Sequence, residues 1–172
     1  MNIPLLSLLI WTPIIGGVWV LLAGGKNNSE TSRGVALTVA LVTFVLSIPL
    51  YIWFELGSAQ MQFTERTDWI PAFGISYHLG IDGFSMPLIL LTTFTTVLVI
   101  IAGWEVIKNK VSQYLAAFLI QEGCMIGAFS SLDAILFYVF WEALLIPMFL
   151  IIGVWGGPRR VYASIKFFLY TF

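Results

Sequence analysis

Long apolar runs separated by short polar stretches divide most of the chain. Each complete run matches the ~20 residues that a helix needs to cross the hydrocarbon core of a bilayer. Only helices satisfy their own backbone hydrogen bonds in lipid, so the pattern predicts five complete transmembrane helices and a sixth that is cut at the end of the chain. The predicted helices cover approximately residues 3–23, 35–56, 84–103, 112–130, 132–155 and 161–172.

The long polar stretch between the second and third runs has a different pattern. Residues 75–81 alternate between apolar and polar or small side chains, which is the period of a strand, and a shorter alternation covers residues 61–64. Pro71 and Gly74 supply turn residues between the two alternations. The sequence therefore predicts a small external β-hairpin at about 61–82. A lone hairpin is marginal in water, so we expect it to rest on a neighbouring surface.

Positive charges in the loops predict the orientation of the helices, because cytoplasmic loops carry an excess of lysine and arginine. The second loop contains only Arg66, and the fourth contains neither residue type. The odd-numbered loops are therefore predicted to be cytoplasmic, with the N-terminus outside. Their basic residues are Lys26, Arg33, Lys108, Lys110, Arg159 and Arg160.

Composition supports a single transmembrane domain over residues 1–172. The chain is 59% hydrophobic and only 10% charged, whereas soluble domains carry about 25% charged residues. A net charge of −1 provides no basic surface for nucleic acid. Cys124 is the single cysteine, which excludes an internal disulfide and a cysteine-ligated iron–sulfur cluster. We expect no cofactor or metal site in this chain. The fold class is an all-α polytopic membrane protein with a small external hairpin.

Glu142 is the first candidate for chemistry, because an ionisable side chain inside a span is costly and points to function. It lies near the middle of the fifth predicted helix. Pro147 removes the hydrogen bond to the carbonyl of Ala143, the residue next to Glu142. A carboxyl beside a free carbonyl can hold a short chain of water, which suits proton relay. The alternative is a protonated carboxyl that hydrogen-bonds a neighbouring helix.

Glu122, in the fourth predicted helix, is the second candidate for proton relay. A tight turn near Ser131 would bring the fourth and fifth helices together as a hairpin and place Glu122 level with residues 141–142. If both carboxyls face inward, they cannot easily both be ionised, and we expect them to share a proton. The alternative is that they point to different sides of their helices.

Lys166 is the third candidate. The turn at residues 156–158 brings the sixth helix back along the fifth, which places Lys166 level with residues 150–154. On that count it lies roughly 12 Å nearer the cytoplasm than Glu142, at a rise of ~1.5 Å per residue. Direct pairing with Glu142 is therefore not expected without water or a third helix. The alternative is that Lys166 extends to the cytoplasmic interface.

Two other polar residues are interpreted as structural. Asp133 lies in the first turn of the fifth predicted helix, where the helix dipole favours a carboxylate, and Ser131 is the predicted N-cap. His78 is expected on the polar face of the hairpin.

Three groups of residues form a recognisable pattern: 136–142 followed by Pro147, 153–157 with 166–171, and 69–83. Together they resemble the antiporter-like membrane subunits of respiratory complex I, and in particular the subunit M family of bacterial NADH:quinone oxidoreductase. The resemblance implies a fold of fourteen transmembrane helices with two inverted five-helix repeats. Family members are much longer than this chain, so we expect an N-terminal fragment that does not conduct protons alone.

The resemblance also implies roles for the candidate residues. The glutamate on helix five of the family's first half-channel maps onto Glu142, and the lysine on helix six maps onto Lys166. Glu122 occupies a helix-four position that is not always acidic in the family. The lysine that partners the helix-five glutamate lies on a broken helix seven, beyond Phe172.

The expected function is that of a proton-translocating subunit, which couples NADH oxidation and quinone reduction elsewhere in the complex to proton export. FMN, iron–sulfur clusters and NADH are then expected in partner subunits, with quinone in the complex. The partners are other membrane subunits of complex I, the lipid bilayer and protons, in the inner membrane of a bacterium. One alternative is a subunit of a related cation/proton antiporter or membrane-bound hydrogenase. Another is a membrane anchor that conducts nothing.

Overall fold

The fold is a bundle of helices with a two-stranded sheet at one end, seen in a computed structural model that describes residues 4–23 and 29–171. Lys26, which the sequence assigns to an inner loop, lies outside the described residues. The helices are α1 (Leu5–Ala23), α2 (Ser29–Ile52), α3 (Ser85–Val106), α4 (Val111–Ser130), α5 (Ala134–Trp155) and α6 (Arg160–Thr171); the strands are β1 (Gln62–Ile70) and β2 (Ile75–Ile81).

Four of the described helices, α1, α2, α3 and α5, are long and apolar enough to cross a membrane. They correspond to four of the five complete spans that the sequence predicts. The exception is α4, which has 20 residues but is less apolar because it includes Gln113, Gln121 and Glu122. More than half of its residues are nevertheless buried. It packs against α1, α2, α3 and α5, so protein rather than lipid surrounds most of its surface.

Close contact between α1 and α4 depends on glycines. A Cβ atom at Gly123 would lie 2.6 Å from the carbonyl oxygen of Ile10, and one at Gly17 would lie 3.0 Å from the carbonyl oxygen of Ala116. Small residues at such positions let two helix backbones approach closely, which is a common way of packing helices within membranes. These contacts hold α4 at the centre of the bundle.

The predicted hairpin is present. Strands β1 and β2 pair antiparallel, with Arg66 opposite His78, and a one-turn 3-10 helix at Pro71–Phe73 joins them. Gly74 ends that turn in the left-handed conformation, at a φ of 66°. The hairpin also rests on neighbouring helices. The carboxylate of Glu65 accepts a hydrogen bond of 2.8 Å from the backbone N–H of Leu6 at the start of α1.

The hairpin's second anchor is the connection between α4 and α5. Leu79 forms an isolated antiparallel bridge with Ser131, and the N–H of Leu132 donates to the carbonyl of His78 at 2.9 Å. Backbone hydrogen bonds therefore fix the hairpin to the same end of the bundle as the start of α1 and the start of α5.

The opposite end of the bundle gathers basic residues. A side-chain N–H of Arg33, in the first turns of α2, donates to the carbonyl of Ile107 after α3 at 3.0 Å. The indole N–H of Trp155 donates to the carbonyl of Asn109 at 3.0 Å, which joins the end of α5 to the same loop. Arg160 lies there too, because its guanidinium donates to the carbonyl of Val154 at 3.0 Å. The described loops that the sequence assigns to the cytoplasm therefore share one end.

Candidate functional site

Glu142 lies half-buried on one stripe of α5. Tyr138, one turn earlier on the same stripe, is its side-chain partner, because the phenol interacts with the Glu142 carboxyl. Further along the stripe, the ring of Phe149 packs edge-on against Phe168 of α6, with centroids 5.7 Å apart. The carboxyl thus lies on the side of α5 that faces α6.

The helix carries a local defect beside this carboxyl. Pro147 lies inside α5 and is buried, and α5 continues through it to Trp155. Because proline has no N–H, the carbonyl of Ala143 receives no hydrogen bond from the residue four positions ahead. A carboxyl, a phenol and a carbonyl without its helical donor therefore lie within two turns of one helix. Such a set can bind water and exchange protons with it.

Glu122 lies in a different environment. It is only 1% exposed, and neither of its carboxyl oxygens receives a hydrogen bond from the described residues. Its side chain lines a cavity of about 330 Å³ between α3 and α4. Thr92, Thr96 and Gln121 contribute the other buried polar groups of that wall.

The two carboxyls do not form the pair that the sequence allowed. Gly127 lies against the ring of Phe140, and the amide of Gln121 reaches the sulfur of Met148 at 3.7 Å. On this register Glu122 is level with a point about four residues beyond Glu142 along α5, which is roughly 6 Å of helix. Glu122 also lines the cavity toward α3, whereas Glu142 lies on the stripe facing α6. The alternative in which the carboxyls point to different sides is the one observed.

The predicted position of Glu122 opposite residues 141–142 was wrong, because α4 and α5 are not joined by a tight turn at Ser131. That residue is extended, with a ψ of 127°, and bridges to Leu79 in the hairpin. Helix α5 begins only at Ala134, so the centre of the connection lies further along the chain than the sequence count assumed.

Lys166 lies between two aromatic rings on the exposed side of α6. Its ammonium is 5.9 Å from the centre of the Tyr162 ring and 5.7 Å from that of Tyr170, distances at which a cation is attracted to the ring face. The contact of Gly153 with Ser164 sets the register of α5 and α6 and places Lys166 level with about residue 151. That level is within the predicted range, and it is roughly 14 Å along the helix from Glu142.

Asp133 is structural, but its role differs from the predicted one. It is itself the N-cap of α5, and its carboxylate accepts from the N–H groups of Ile135 and Leu136. The predicted N-cap, Ser131, instead donates its hydroxyl to the carbonyl of Gly127 at 2.6 Å. The backbone N–H of Ser76 also donates to Asp133, and this bond, followed by those from the helix start, lowers the pKa of the carboxyl.

The sequence interpretation missed Tyr138, Thr92 and Thr96. Tyr138 could have been found, because it lies four residues before Glu142 and must share its helix face. Thr92 and Thr96 also have helical spacing, but the sequence does not show which helix they face. Within residues 4–23 and 29–171, no three histidine, cysteine, aspartate or glutamate side chains come together as a metal site.

Comparison with known families gives two matches. The amino-terminal profile of NADH-ubiquinone oxidoreductase chain 4 matches residues 26–126, and a transmembrane profile described as NADH:quinone oxidoreductase/Mrp antiporter matches residues 131–172. Among solved structures, respiratory complex I from Thermus thermophilus with bound NADH aligns with 96% of this chain and 32% of the matched chain, at a TM-score of 0.79 and 26% identity. The Mrp complex from Dietzia aligns with 94% of this chain and 17% of its own, with a TM-score of 0.74, but at 16% identity this likeness shows the fold alone.

Curated relatives agree with these matches. NADH-quinone oxidoreductase subunit M of Rickettsia prowazekii is 40% identical over 100% of this chain and 35% of its own length. Subunit M of Rhodobacter capsulatus is 44% identical over 98% of this chain and 33% of its own. The chain therefore spans about a third of the length of these relatives. Because the chain 4 profile alone covers more than half of its residues, this protein belongs to the NADH-ubiquinone oxidoreductase chain 4 family.

Proposed function

We propose that this protein is a proton-translocating membrane subunit of a respiratory NADH:quinone oxidoreductase. In this proposal the chain carries protons and no electrons. NADH, FMN and the iron–sulfur clusters are bound by partner subunits, and quinone is reduced elsewhere in the complex. Family membership supports the assignment, and the observation that carries it is the Glu142 carboxyl beside the Pro147 defect of α5, with Tyr138 as its partner.

The proposal includes five membrane-spanning helices, with α4 as the fifth. Its 20 residues are long enough to cross the hydrocarbon core, and Glu122, its one charged side chain, is buried among the neighbouring helices. We further propose that the N-terminus and the hairpin lie outside the inner membrane of a bacterium. The basic residues at the opposite end of the bundle support this orientation.

Cysteine labelling tests the orientation in intact cells. In the full-length protein with Cys124 replaced by serine, single cysteines at His78 and Lys108 would be treated with a membrane-impermeant thiol reagent. We expect labelling at position 78 and none at 108 until the membrane is opened. Labelling at 108 but not at 78 in whole cells would reverse the proposed topology.

Each candidate residue has a role in the proposal. Glu142 takes up and releases a proton during turnover, through water held beside the Ala143 carbonyl. Lys166 lies about 14 Å toward the basic end and influences the proton path through charge rather than by direct contact. Glu122 is a separate proton-binding group within α4. The partners are the other membrane subunits of the complex, the lipid and the proton itself, and nucleic acid is not among them.

Replacement of Glu142 tests the central role. Glu142→Gln keeps the size and hydrogen-bonding capacity of the side chain but removes its proton exchange. In a complex that contains the full-length protein, we expect this variant to lose most proton pumping while the complex still assembles. Glu142→Asp should retain part of the activity, and Lys166→Ala should cause a milder loss. Pumping is measured in inverted vesicles, and assembly is checked on native gels.

Glu55→Gln is the matched control, because Glu55 is an exposed glutamate outside the helices at the hairpin end. It should pump as the unaltered complex does. Normal pumping by an assembled Glu142→Gln complex would make Glu142 a structural residue and would overturn the proposed mechanism.

A subunit of a cation/proton antiporter is the second candidate, because the profile that matches residues 131–172 covers both kinds of protein. The identities of 40 and 44% to NADH-quinone oxidoreductase subunits favour the respiratory enzyme. The identity of the neighbouring genes would distinguish the respiratory enzyme from the antiporter. A membrane anchor without a proton path is not favoured, since burying an unpaired acidic group in a span costs on the order of 3 kcal/mol.

A further inference from the structure

The cavity between α3 and α4 contains a carboxyl that the register sets apart from Glu142. Both oxygens of Glu122 are buried, and no donor among the described residues reaches either one. Glu122 is also the only titratable side chain among the described residues that line the cavity. Its charge, if present, would have no protein counterion there. Such a group persists in a protein interior when it is neutralised by a proton or by a bound cation.

The buried threonine hydroxyls of the wall, those of Thr92 and Thr96, can accept hydrogen bonds from the cavity, because their own hydrogens are used within α3. The hydroxyl of Thr92 donates to the carbonyl of Leu88 at 2.8 Å, and that of Thr96 donates to the carbonyl of Thr92 at 3.0 Å. One amide N–H of Gln121 points to Met148, and the buried amide oxygen has no partner among the described residues. The acceptors that face the cavity can be satisfied by hydrogens from a protonated carboxyl or from a water molecule.

The cavity has room for water. At about 330 Å³ it can hold several molecules, since a water occupies ~30 Å³ in the liquid. Buried water is stable where it finds two to four polar partners, and Glu122, Gln121, Thr92 and Thr96 provide them. A bare metal cation is less suited to the site, because hard cations take six or more oxygen ligands. Most of the remaining wall is apolar, including Leu88, Phe118 and Phe129.

We propose that the α3–α4 cavity is a hydrated proton-binding site, in which Glu122 holds a proton and water links it to Thr92, Thr96 and Gln121. This inference rests on the proposed function and adds to its Glu122 site the bound water and the polar partners that hold it. Glu122 itself faces α3, whereas the opposite side of α4, including Cys124, lines a groove with Ala143 and Pro147 of α5. The site is therefore distinct in position from Glu142, which lies on the side of α5 that faces α6.

Difference infrared spectroscopy on the assembled complex with the full-length protein tests the inference. Glu122→Gln should remove one carbonyl-stretch band of a protonated carboxylic acid at neutral pH. Transfer to D₂O should shift that band promptly, because water reaches the site. Thr92→Val and Thr96→Val should each change the frequency of the band without removing it, since each deletes one water-binding oxygen and keeps the side-chain shape.

Thr93→Val is the matched control. Thr93 is an equally buried threonine of α3, but its hydroxyl contacts Ser47 of α2 at 3.0 Å and does not line the cavity. The Glu122 band should be unchanged in this variant. Native gels confirm assembly of every variant, so that a lost band is not mistaken for a lost protein.

Three results would overturn the inference. The first is a spectrum in which Glu122→Gln removes no band of a protonated acid. The second is a band that exchanges in D₂O no faster than the buried amides do, which would mean a dry site. The third is a band that disappears when sodium is added to the unaltered complex, which would make the site a cation site. None of these bears on Glu142, whose role is decided by pumping in Glu142→Gln.

Discussion

Helices α4 and α5 are neighbours of similar length, and each carries a glutamate. The surroundings that accommodate the glutamate differ between the two helices. Helix α5 is highly apolar, qualifies as a span by hydropathy, and leaves much of its surface exposed in this chain. Helix α4 is not apolar enough to be recognised as a span by hydropathy, but more of its residues are buried than those of α5. The phenol of Tyr138 interacts with Glu142 on the same helix, whereas Glu122 faces a cavity and receives no hydrogen bond from the described residues.

The difference shows that hydropathy measures suitability for lipid and does not measure depth within the protein. A helix that other helices surround can carry glutamine and glutamate, because those side chains meet protein and internal water in place of hydrocarbon. A helix at the periphery must present apolar side chains to lipid. The less apolar helix of such a bundle is therefore the place to look for internal polar sites.

The largest effect on this arrangement is expected from Gly123→Ala. A Cβ atom there would lie 2.6 Å from the backbone oxygen of Ile10, and backbone cannot move aside as a flexible side chain can. Alanine favours helix by ~1 kcal/mol over glycine, but overpacking typically costs about 1–3 kcal/mol, and a clash with backbone lies at the upper end. We expect lower thermal stability of the full-length protein in detergent and less assembled complex on native gels.

Gly34→Ala provides the control, because Gly34 is also within a helix and a Cβ atom there meets nothing within 4 Å. It should leave stability unchanged or raise it slightly. If Gly123→Ala were as stable as Gly34→Ala, α1 and α4 would not pack as closely as described, and the central position of α4 would be in doubt.

The sequence predicts the helices and the hairpin well, because both depend on local periodicity. It also makes Glu142 a candidate, since a carboxyl in the middle of an apolar run stands out without any knowledge of packing. The level of Glu122 relative to Glu142 could not be predicted, because it depends on Ser131 pairing with Leu79, a contact between distant segments. The roles of Thr92 and Thr96 depend on the rotation of α3, which a nearly uniform apolar helix does not encode.

The smallest expected effect concerns the start of α5, where Asp133 fixes the helix that carries Glu142. Hydrogen bonds from Ser76 and from the first turn of α5 lower the pKa of Asp133 below its ordinary value of ~3.9. A group with a lowered folded-state pKa stabilises the protein above its unfolded pKa, and this contribution is lost as the pH falls through the folded pKa. Asp133→Asn keeps an N-cap but removes the charge, so it isolates this contribution.

The midpoint of thermal unfolding of the full-length protein, followed from neutral pH into acid, should therefore be lower in Asp133→Asn by an amount that is constant above about pH 4 and shrinks below it. Asp82, whose pKa is lowered mainly by Ser85, titrates in both proteins and cancels from the difference. A difference that stayed constant or grew in acid would mean that Asp133 acts by its shape and hydrogen bonds alone. The hairpin end of α5 would then be held by contacts that an uncharged cap supplies equally well.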